Sequence, residues 1–146
     1  MEWDRYFIGI AESVAKKSKD PSTKVGCVIV SEDYEPISFG YNGFVAGCDE
    51  DYMTFERPYK DMLSVHAEMN ALIFAQKSIK NSRVYVTNAP CDNCLKHLLQ
   101  AKVKEIVFDK FDTNGGFMND DRKKVIKKLL DSTNIIYRNI DGKKFL

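Results

Sequence analysis

The chain has 146 residues, of which 44% are hydrophobic and 29% are charged. This length allows one folded domain with a buried core, and this composition excludes a largely disordered chain. The formal net charge of +1 provides no overall basic field to attract nucleic acid, and the longest apolar runs are too short to span a membrane.

The first half of the chain is predicted to form a helix, a β-hairpin and a long loop. Apolar residues recur at helical spacing from Trp3 onward, and this helix should end before Asp20-Pro21. Residues 25–30 indicate a buried strand, and residues 37–41 its hairpin partner. A loop is predicted over 42–60, and a loop of this length in a compact domain is usually functional or mobile.

The second half of the chain alternates helices with strands. Helices are predicted over 62–79, 91–101 and 120–131, and strands over 83–87, 105–108 and 135–137. The residues of the last helix that should face inward are Val125, Ile126, Leu129 and Leu130. Because strands and helices alternate, the later strands should run parallel. The pattern predicts an α/β fold in one domain (1–146), a three-layer α/β/α sandwich around a five-stranded mixed sheet.

Two short motifs fall at or near the starts of predicted helices, namely His66-Ala67-Glu68 and Pro90-Cys91-Asp92-Asn93-Cys94. The N-terminus carries acidic residues, unlike a signal or transit peptide, so we expect a reducing, cytoplasmic location. There, cysteines indicate metal binding or catalysis before disulfides. One histidine and two cysteines leave the fourth position of a tetrahedral zinc site for water. The motifs therefore predict one catalytic Zn²⁺ per chain.

Glu68 lies two residues after His66, close to the predicted metal without having to bind it. A carboxyl group in that position can take a proton from water and deliver it to a substrate. The combination of H-x-E with P-C-x-x-C is the signature of zinc-dependent nucleobase deaminases, and it is far more specific than C-x-x-C alone. These residues predict hydrolytic deamination of a cytosine compound.

Other interpretations of the motifs stay open. A structural zinc site would need a fourth protein ligand, for which His97 is the candidate. A zinc-stabilised binding module would hold the metal without activity on any cytosine compound. A nucleic-acid deaminase would need an aromatic and basic channel, which the near-zero net charge argues against. Of the other cysteines, Cys27 is interpreted as a core residue and Cys48 as an inert thiol.

The chain resembles the deoxycytidylate (dCMP) deaminase family from Trp3 to about Asp112. The segments that carry the resemblance are 3–7, 18–21, 25–26, 40–43, 66–71, 90–94 and 100–101. Among them, Gly40-Tyr41-Asn42-Gly43 separates this family from nucleoside cytidine deaminases and tRNA adenosine deaminases. The resemblance implies a cytidine deaminase-like fold and conversion of dCMP to dUMP and ammonia, which supplies thymidylate synthesis. A second activity on dCTP, or activity on the nucleoside cytidine, stays open as an alternative.

The resemblance also implies how a nucleotide is bound. Asn42 should hydrogen-bond the sugar hydroxyl, and Phe111 should pack near the ring. The backbone around Ala67 and Ala89 should read the edge of the base. The residues implied to lie near the 5′-phosphate are Ser22, Thr23 and Lys24. Many family members carry an arginine in this turn, whereas this chain offers hydroxyl groups and one lysine.

Assembly and regulation are implied in the same way. Members of the family form symmetric oligomers, often hexamers, which dCTP activates and dTTP inhibits. We therefore expect a homo-oligomer, with the apolar helix over 62–79 partly against a second subunit. The residues assigned to a regulatory site are Gly40, Tyr41, Gly43, Gly47 and Asp49. The acidic run 49–51 would help hold the Mg²⁺ that accompanies a triphosphate, and a solvated acidic loop is the alternative.

Overall fold

A five-stranded mixed sheet forms the centre of the protein in a computed structural model that describes residues 1–111 and 118–144. Asp112, the predicted limit of the family resemblance, lies outside the described residues. The strands are β1 (Gly26–Val30), β2 (Pro36–Tyr41), β3 (Arg83–Asn88), β4 (Glu105–Lys110) and β5 (Ile136–Asn139). Their order is β2-β1-β3-β4-β5, in which β1 is antiparallel to both neighbours. β3, β4 and β5 are parallel, which confirms the prediction from the alternating pattern.

The helices lie on both sides of this sheet. They are α1 (Trp3–Ala15), α2 (Tyr59–Leu63), α3 (Ala67–Ile73), α4 (Asp92–Gln100) and α5 (Asp120–Asp131), with a short 3-10 helix at Glu50–Tyr52. Side chains of α3, α4 and α5 share one core cluster, whereas α1 packs into a second cluster on the opposite face. This arrangement confirms the three-layer α/β/α sandwich. Among the described residues, no helix is both long and apolar enough to cross a membrane.

Strand side chains alternate between the two core clusters, as the period of two residues requires. The cluster with α3, α4 and α5 contains the strand residues Cys27, Ile29, Val84, Val86, Ile106 and Phe108. The cluster with α1 contains Val28, Val30, Tyr85 and Val107. Burial of a large apolar side chain contributes about 1.5–3 kcal/mol, so these two clusters hold the layers together.

The prediction of one helix over 62–79 was wrong: α2 ends at Leu63, α3 covers only Ala67–Ile73, and residues 74–79 are not helical. Val65 exchanges backbone hydrogen bonds with Gly43, with N···O distances of 2.7 and 3.1 Å. This bridge uses the backbone groups that a continuous helix would need, and Ser64 and His66 are extended. Helix α3 therefore begins directly after His66 and ends at Ile73.

The inward face of the last helix was also predicted wrongly at one position. Ile126 is fully buried, and Leu129 and Leu130 pack against the core. Val125 is 41% exposed, because it lies about 100° around the helix from Ile126 and outside the buried stripe.

Candidate metal centre and active site

The starts of α3 and α4 bring together one histidine and two cysteines. His66 Nδ1 lies 3.6 Å from Cys91 Sγ and 3.4 Å from Cys94 Sγ. His66 and Cys91 are the N-cap residues of α3 and α4, so both helix N-termini meet at this point. The ligand atoms of the three residues all lie within 4.8 Å of one another.

This arrangement fits a tetrahedral zinc ion. Zinc–nitrogen and zinc–sulfur bonds of about 2.1 and 2.3 Å would place nitrogen and sulfur about 3.6 Å apart at a tetrahedral angle. The two distances from His66 Nδ1 are close to that separation. Among the described residues, His66, Cys91 and Cys94 form the one group of three or more His, Cys, Asp or Glu that could hold a metal.

Local hydrogen bonds favour the thiolate form of Cys91, a candidate metal ligand. The side chain of Cys94, together with His66, lowers the pKa of Cys91 to about 4. The backbone N–H of Cys94 also donates to Cys91 Sγ at 3.4 Å. Metals bind the thiolate and not the thiol, so a lowered pKa favours metal binding at neutral pH.

Glu68 lies in the first turn of α3 and is 4% exposed. Burial raises the pKa of its carboxyl group to about 7. A carboxyl group with such a pKa is present in both protonation states near neutrality, which suits it to proton transfer in either direction. Glu68 lines the same cavity as His66 and Cys91, next to the candidate metal ligands.

The alternative of a structural zinc site needs a fourth protein ligand, which the described residues do not provide. His97 Nδ1 donates a hydrogen bond to the carbonyl oxygen of Asn93, one turn earlier in α4, at 2.7 Å. His97 does not belong to the group that could hold a metal. Three converging protein ligands match the pattern of a catalytic zinc site, in which a fourth position stays open.

The residues implied to contact the sugar hydroxyl and the edge of the base all line this cavity, namely Asn42, Ala67 and Ala89. Asn42 Oδ1 accepts from the backbone N–H of Val25 at 2.8 Å, and its Nδ2 donates to the carbonyl oxygen of Thr23 at 2.9 Å. Asn42 therefore also shapes the cavity wall. The N–H of Ala89 donates to the carbonyl oxygen of Lys110 at 2.8 Å, which fixes the backbone at this point of the cavity wall.

The residues implied to lie near the phosphate are placed differently from one another. Thr23 lines the cavity, and Ser22 Oγ accepts a hydrogen bond from Lys60 Nζ at 2.7 Å. Lys24 is not among the lining residues, and its Nζ donates to the carbonyl oxygen of Ser18 at 2.8 Å. Phe111 also lies outside the described lining, and its ring makes an edge contact with Phe108.

The residues assigned to regulation have structural contacts of their own. Gly40 is buried against α3, and Gly43 forms the bridge to Val65. The carbonyl oxygen of Tyr41 accepts from Asn70 Nδ2 at 2.8 Å, while the Tyr41 ring is 41% exposed. Gly47 has a φ of +82°, which favours glycine. Asp49 caps the short 3-10 helix by accepting from the N–H of Asp51.

The match of the chain to a known protein family agrees with this geometry. Residues 1–110, which include all the candidate metal ligands and Glu68, match the cytidine and deoxycytidylate deaminase zinc-binding region. The chain belongs to this family. Its fold is accordingly the cytidine deaminase-like fold.

Several individual proteins are similar to the chain. A deoxycytidylate deaminase of Pongo abelii is 32% identical over 145 residues, which are 94% of this chain and 79% of that protein. A probable deoxycytidylate deaminase of Caenorhabditis elegans is 37% identical over 139 residues, 92% of this chain and 68% of that protein. The crystal structure of dCMP deaminase from the cyanophage S-TIM5 in apo form has a TM-score of 0.71 and 23% identity. It covers 96% of this chain and 100% of that one, and this likeness shows the shared fold.

The sequence analysis did not predict the set of charged side chains that lines the cavity. Asp20, Arg57, Lys60 and Asp61 all line it. Arg57 and Lys60 belong to the segment predicted as a loop, where no local pattern distinguishes a lining residue from a solvated one. Their position shortly before His66 was the available signal, because a segment that leads directly into a metal ligand must pass close to the site.

Proposed function

We propose that the protein catalyses the zinc-dependent hydrolytic deamination of dCMP to dUMP and ammonia. The observation that carries this proposal is the convergence of His66, Cys91 and Cys94 beside the buried carboxyl group of Glu68. The choice of dCMP is supported by similarity to proteins named deoxycytidylate deaminase. The role that we propose in the cell is the supply of dUMP for thymidylate synthesis in the cytoplasm.

In the proposed mechanism, His66, Cys91 and Cys94 hold a zinc ion. When bound in such a site, zinc would supply the Lewis acidity that makes water nucleophilic near neutral pH. Glu68 takes a proton from the attacking water and delivers it to N3 of cytosine. The water oxygen forms a bond to C4, and the bond from C4 to the amino nitrogen then breaks. Glu68 transfers the second water proton to the departing ammonia.

The proposed pocket holds the base and the sugar with the backbone near the metal and with Asn42. The N–H of Ala67 lies in the first turn of α3, where backbone donors have no partner within the helix. This N–H and the carbonyl group of Ala89 are the proposed contacts to the edge of the base. Asn42 Nδ2 carries a second hydrogen, which we assign to the sugar hydroxyl.

A substrate panel tests the proposed activity. Rates should be measured for cytidine, deoxycytidine, CMP, dCMP, dCTP and an oligonucleotide that contains deoxycytidine. We expect dCMP to have a larger kcat/KM than deoxycytidine by orders of magnitude, because unpaired phosphate-binding groups disfavour the nucleoside. Comparable rates on dCTP would identify the bifunctional alternative, and equal rates on nucleoside and nucleotide would contradict the assignment to dCMP. Zinc-loaded protein without activity on any member of the panel would instead favour a binding module.

We also propose that the protein is a homo-oligomer, hexameric as in the family, regulated by dCTP as activator and dTTP as inhibitor. Apolar side chains on the surface of α2 and the end of α3 support a subunit contact, since Met62, Ile73 and Phe74 are 79%, 61% and 57% exposed. The exposed segment around Tyr41, Gly47 and Asp49 is the proposed effector site, with Mg²⁺ bound through the triphosphate.

The test of regulation combines dCMP saturation curves with analytical ultracentrifugation. Each curve should be recorded with and without dCTP or dTTP in the presence of Mg²⁺. Regulation requires the two effectors to bind two conformations unequally, so the curve should steepen with dTTP and become hyperbolic with dCTP. A monomer with a hyperbolic curve that neither triphosphate changes would defeat this part of the proposal and leave the zinc chemistry intact.

A further inference from the structure

Besides the candidate metal ligands and Glu68, two acidic and two basic side chains line the cavity. Asp20 and Lys60 form one ion pair at 3.0 Å, and Arg57 and Asp61 form another at 2.8 Å. The proposed deamination chemistry uses none of them. A substrate with a doubly charged phosphate nevertheless needs cations in the pocket, since a phosphomonoester carries about −1.5 to −2 charges at pH 7.

The Asp20–Lys60 pair is fixed. Both side chains are nearly buried, with exposed fractions of 5% and 7%. Asp20 Oδ1 also accepts from the backbone N–H groups of Ser22 and Thr23, both at 2.9 Å. Removing one partner of such a pair leaves an uncompensated buried charge, so the pair stays together when a ligand enters. The positive charge of Lys60 is therefore already balanced by the carboxylate of Asp20.

The Arg57–Asp61 pair, by contrast, is weak enough for a ligand to replace Asp61 as the partner of Arg57. Its side chains are 36% and 26% exposed, and it joins Arg57, two residues before α2, to Asp61 within α2. Exposed ion pairs at i,i+4 spacing contribute little. One guanidinium N–H reaches Asp61 Oδ2. A guanidinium group has five N–H donors, and in the part of the chain that the structure describes the other four have no partner. Arg57 can therefore turn to a phosphate, while Asp61 is left in contact with water.

We propose that Arg57 binds the 5′-phosphate and makes the pocket select a nucleotide over a nucleoside, and that its guanidinium group exchanges the contact with Asp61 for the phosphate. Arginine suits this task because its planar fork of donors matches two phosphate oxygens at once. The proposal deepens the proposed function and rests on it for the identity of the base. It assigns the main phosphate contact to Arg57, just before α2, rather than to Lys24, whose ammonium group donates to the carbonyl oxygen of Ser18.

The first experiment compares Arg57→Gln with the wild-type chain on dCMP and on deoxycytidine. We expect kcat/KM for dCMP to fall by about 10–100-fold through KM, the range for losing hydrogen bonds to a charged group. The value for deoxycytidine should stay unchanged, because it has no phosphate. Arg5→Gln is the matched control, since Arg5 is an exposed arginine that is paired with Asp141 outside the cavity.

The variant Asp61→Asn distinguishes phosphate binding by Arg57 from a purely structural function of the ion pair. If the pair only stabilises α2, then Asp61→Asn and Arg57→Gln should lower dCMP turnover alike. If Arg57 binds phosphate, Asp61→Asn should keep the KM for dCMP or lower it, because Asp61 competes with the phosphate. An unchanged KM in Arg57→Gln, equal losses on dCMP and deoxycytidine, or a larger loss in Lys24→Ala would each overturn the proposal.

Calorimetric titration with dUMP gives a readout that does not depend on turnover. We expect Arg57→Gln to weaken dUMP binding by about the same 10–100-fold, while binding of deoxyuridine is unaffected. If the wild-type chain deaminates no cytosine nucleotide but this difference is seen, the proposed reaction fails and the phosphate contact stands. If the wild-type chain deaminates dCMP but both proteins bind dUMP equally, the phosphate contact fails and the reaction stands.

Discussion

Two neighbouring buried side chains, Cys91 and Glu68, have pKa values that are shifted in opposite directions. The thiol of Cys91 has its pKa lowered to about 4, chiefly by the hydrogen bond with the Cys94 side chain. The carboxyl group of Glu68 has its pKa raised to about 7 by burial. A thiolate binds metal, and a carboxyl group with a pKa near neutrality exchanges protons. These pKa values therefore suit Cys91 to metal binding and Glu68 to proton transfer.

Replacement of Cys91 tests the metal assignment. Cys91→Ala should lose bound zinc and deaminase activity together, because two protein ligands cannot retain the ion. Metal content should be measured by mass spectrometry after dialysis against a weak chelator. Cys48→Ala is the control, since Cys48 is a free thiol outside the ligand group and its loss should leave the zinc content unchanged. Full zinc occupancy in Cys91→Ala would exclude Cys91 as a ligand.

Replacement of Glu68 tests the proton-transfer assignment. Glu68→Gln preserves the size of the side chain but cannot accept the proton, so kcat should fall by at least ~10²–10⁴-fold. Zinc content and dUMP affinity should remain close to wild type. Steady-state kinetics and metal analysis on the same preparation distinguish this result from unfolding, and near-normal turnover would mean that another group carries the proton.

At the scale of elements, the position of α3 depends on its close approach to β2. A Cβ atom at Gly40 would lie 2.2 Å from the carbonyl oxygen of Ala67 and 2.4 Å from the backbone nitrogen of Ala71. Glycine therefore lets the first turn of α3, which follows His66 and contains Glu68, pack directly on the strand. The family segment 40–43 serves the active site through this contact.

Gly40→Ala should accordingly damage both stability and activity. We expect the free energy of unfolding to fall by about 1–3 kcal/mol, as for other overpacked sites, with a lower kcat because α3 must shift. Chemical denaturation and kinetics measure the two effects. Gly43→Ala is the matched control, because a Cβ there would have no atom within 4 Å. If Gly43→Ala were as harmful as Gly40→Ala, the close contact with α3 would not be the cause.

At the scale of the whole molecule, a buried ion pair joins distant parts of the chain. Lys60 on α2 donates to Asp20, forty positions earlier, beside the turn that holds Asn42. Burial by itself raises the pKa of Asp20, but hydrogen bonds from Thr23, Ser22 and Lys60 outweigh it and lower the pKa below its usual value of 3.8. Asp20 thus stabilises the fold as a carboxylate.

This shift predicts a pH dependence of stability. The contribution of Asp20 is fully present above its unfolded-state pKa and is lost as the pH falls through the lowered folded-state pKa. Asp20→Asn should therefore reduce the free energy of unfolding by about 3 kcal/mol at neutral pH, with a difference that shrinks below about pH 4. Urea unfolding across this pH range measures it. Glu50→Gln, which removes the exposed pair with Lys19, should change little at any pH, and an equal effect there would refute the argument.

The sequence by itself determined the features that depend on the spacing of nearby residues, namely the short motifs and the periodic apolar patterns. The tripeptide 66–68 and the pentapeptide 90–94 specified the candidate metal ligands, which the structure brings together, since residue type and spacing define a zinc site. The strand periods and the alternation with helices specified the layers and the parallel strands. Segments that carry their own apolar pattern were predicted close to their observed bounds.

Only the tertiary structure decided where long-range contacts override local pattern. The helix predicted over 62–79 is interrupted because Val65 pairs with Gly43, twenty-two positions earlier, and no local propensity reports that bridge. The same fold places Arg57 and Lys60 in the cavity wall, although their sequence surroundings suggest a solvated loop. Backbone pairing and buried charge depend on residues distant in sequence, so these features followed from packing and could not be deduced from periodicity.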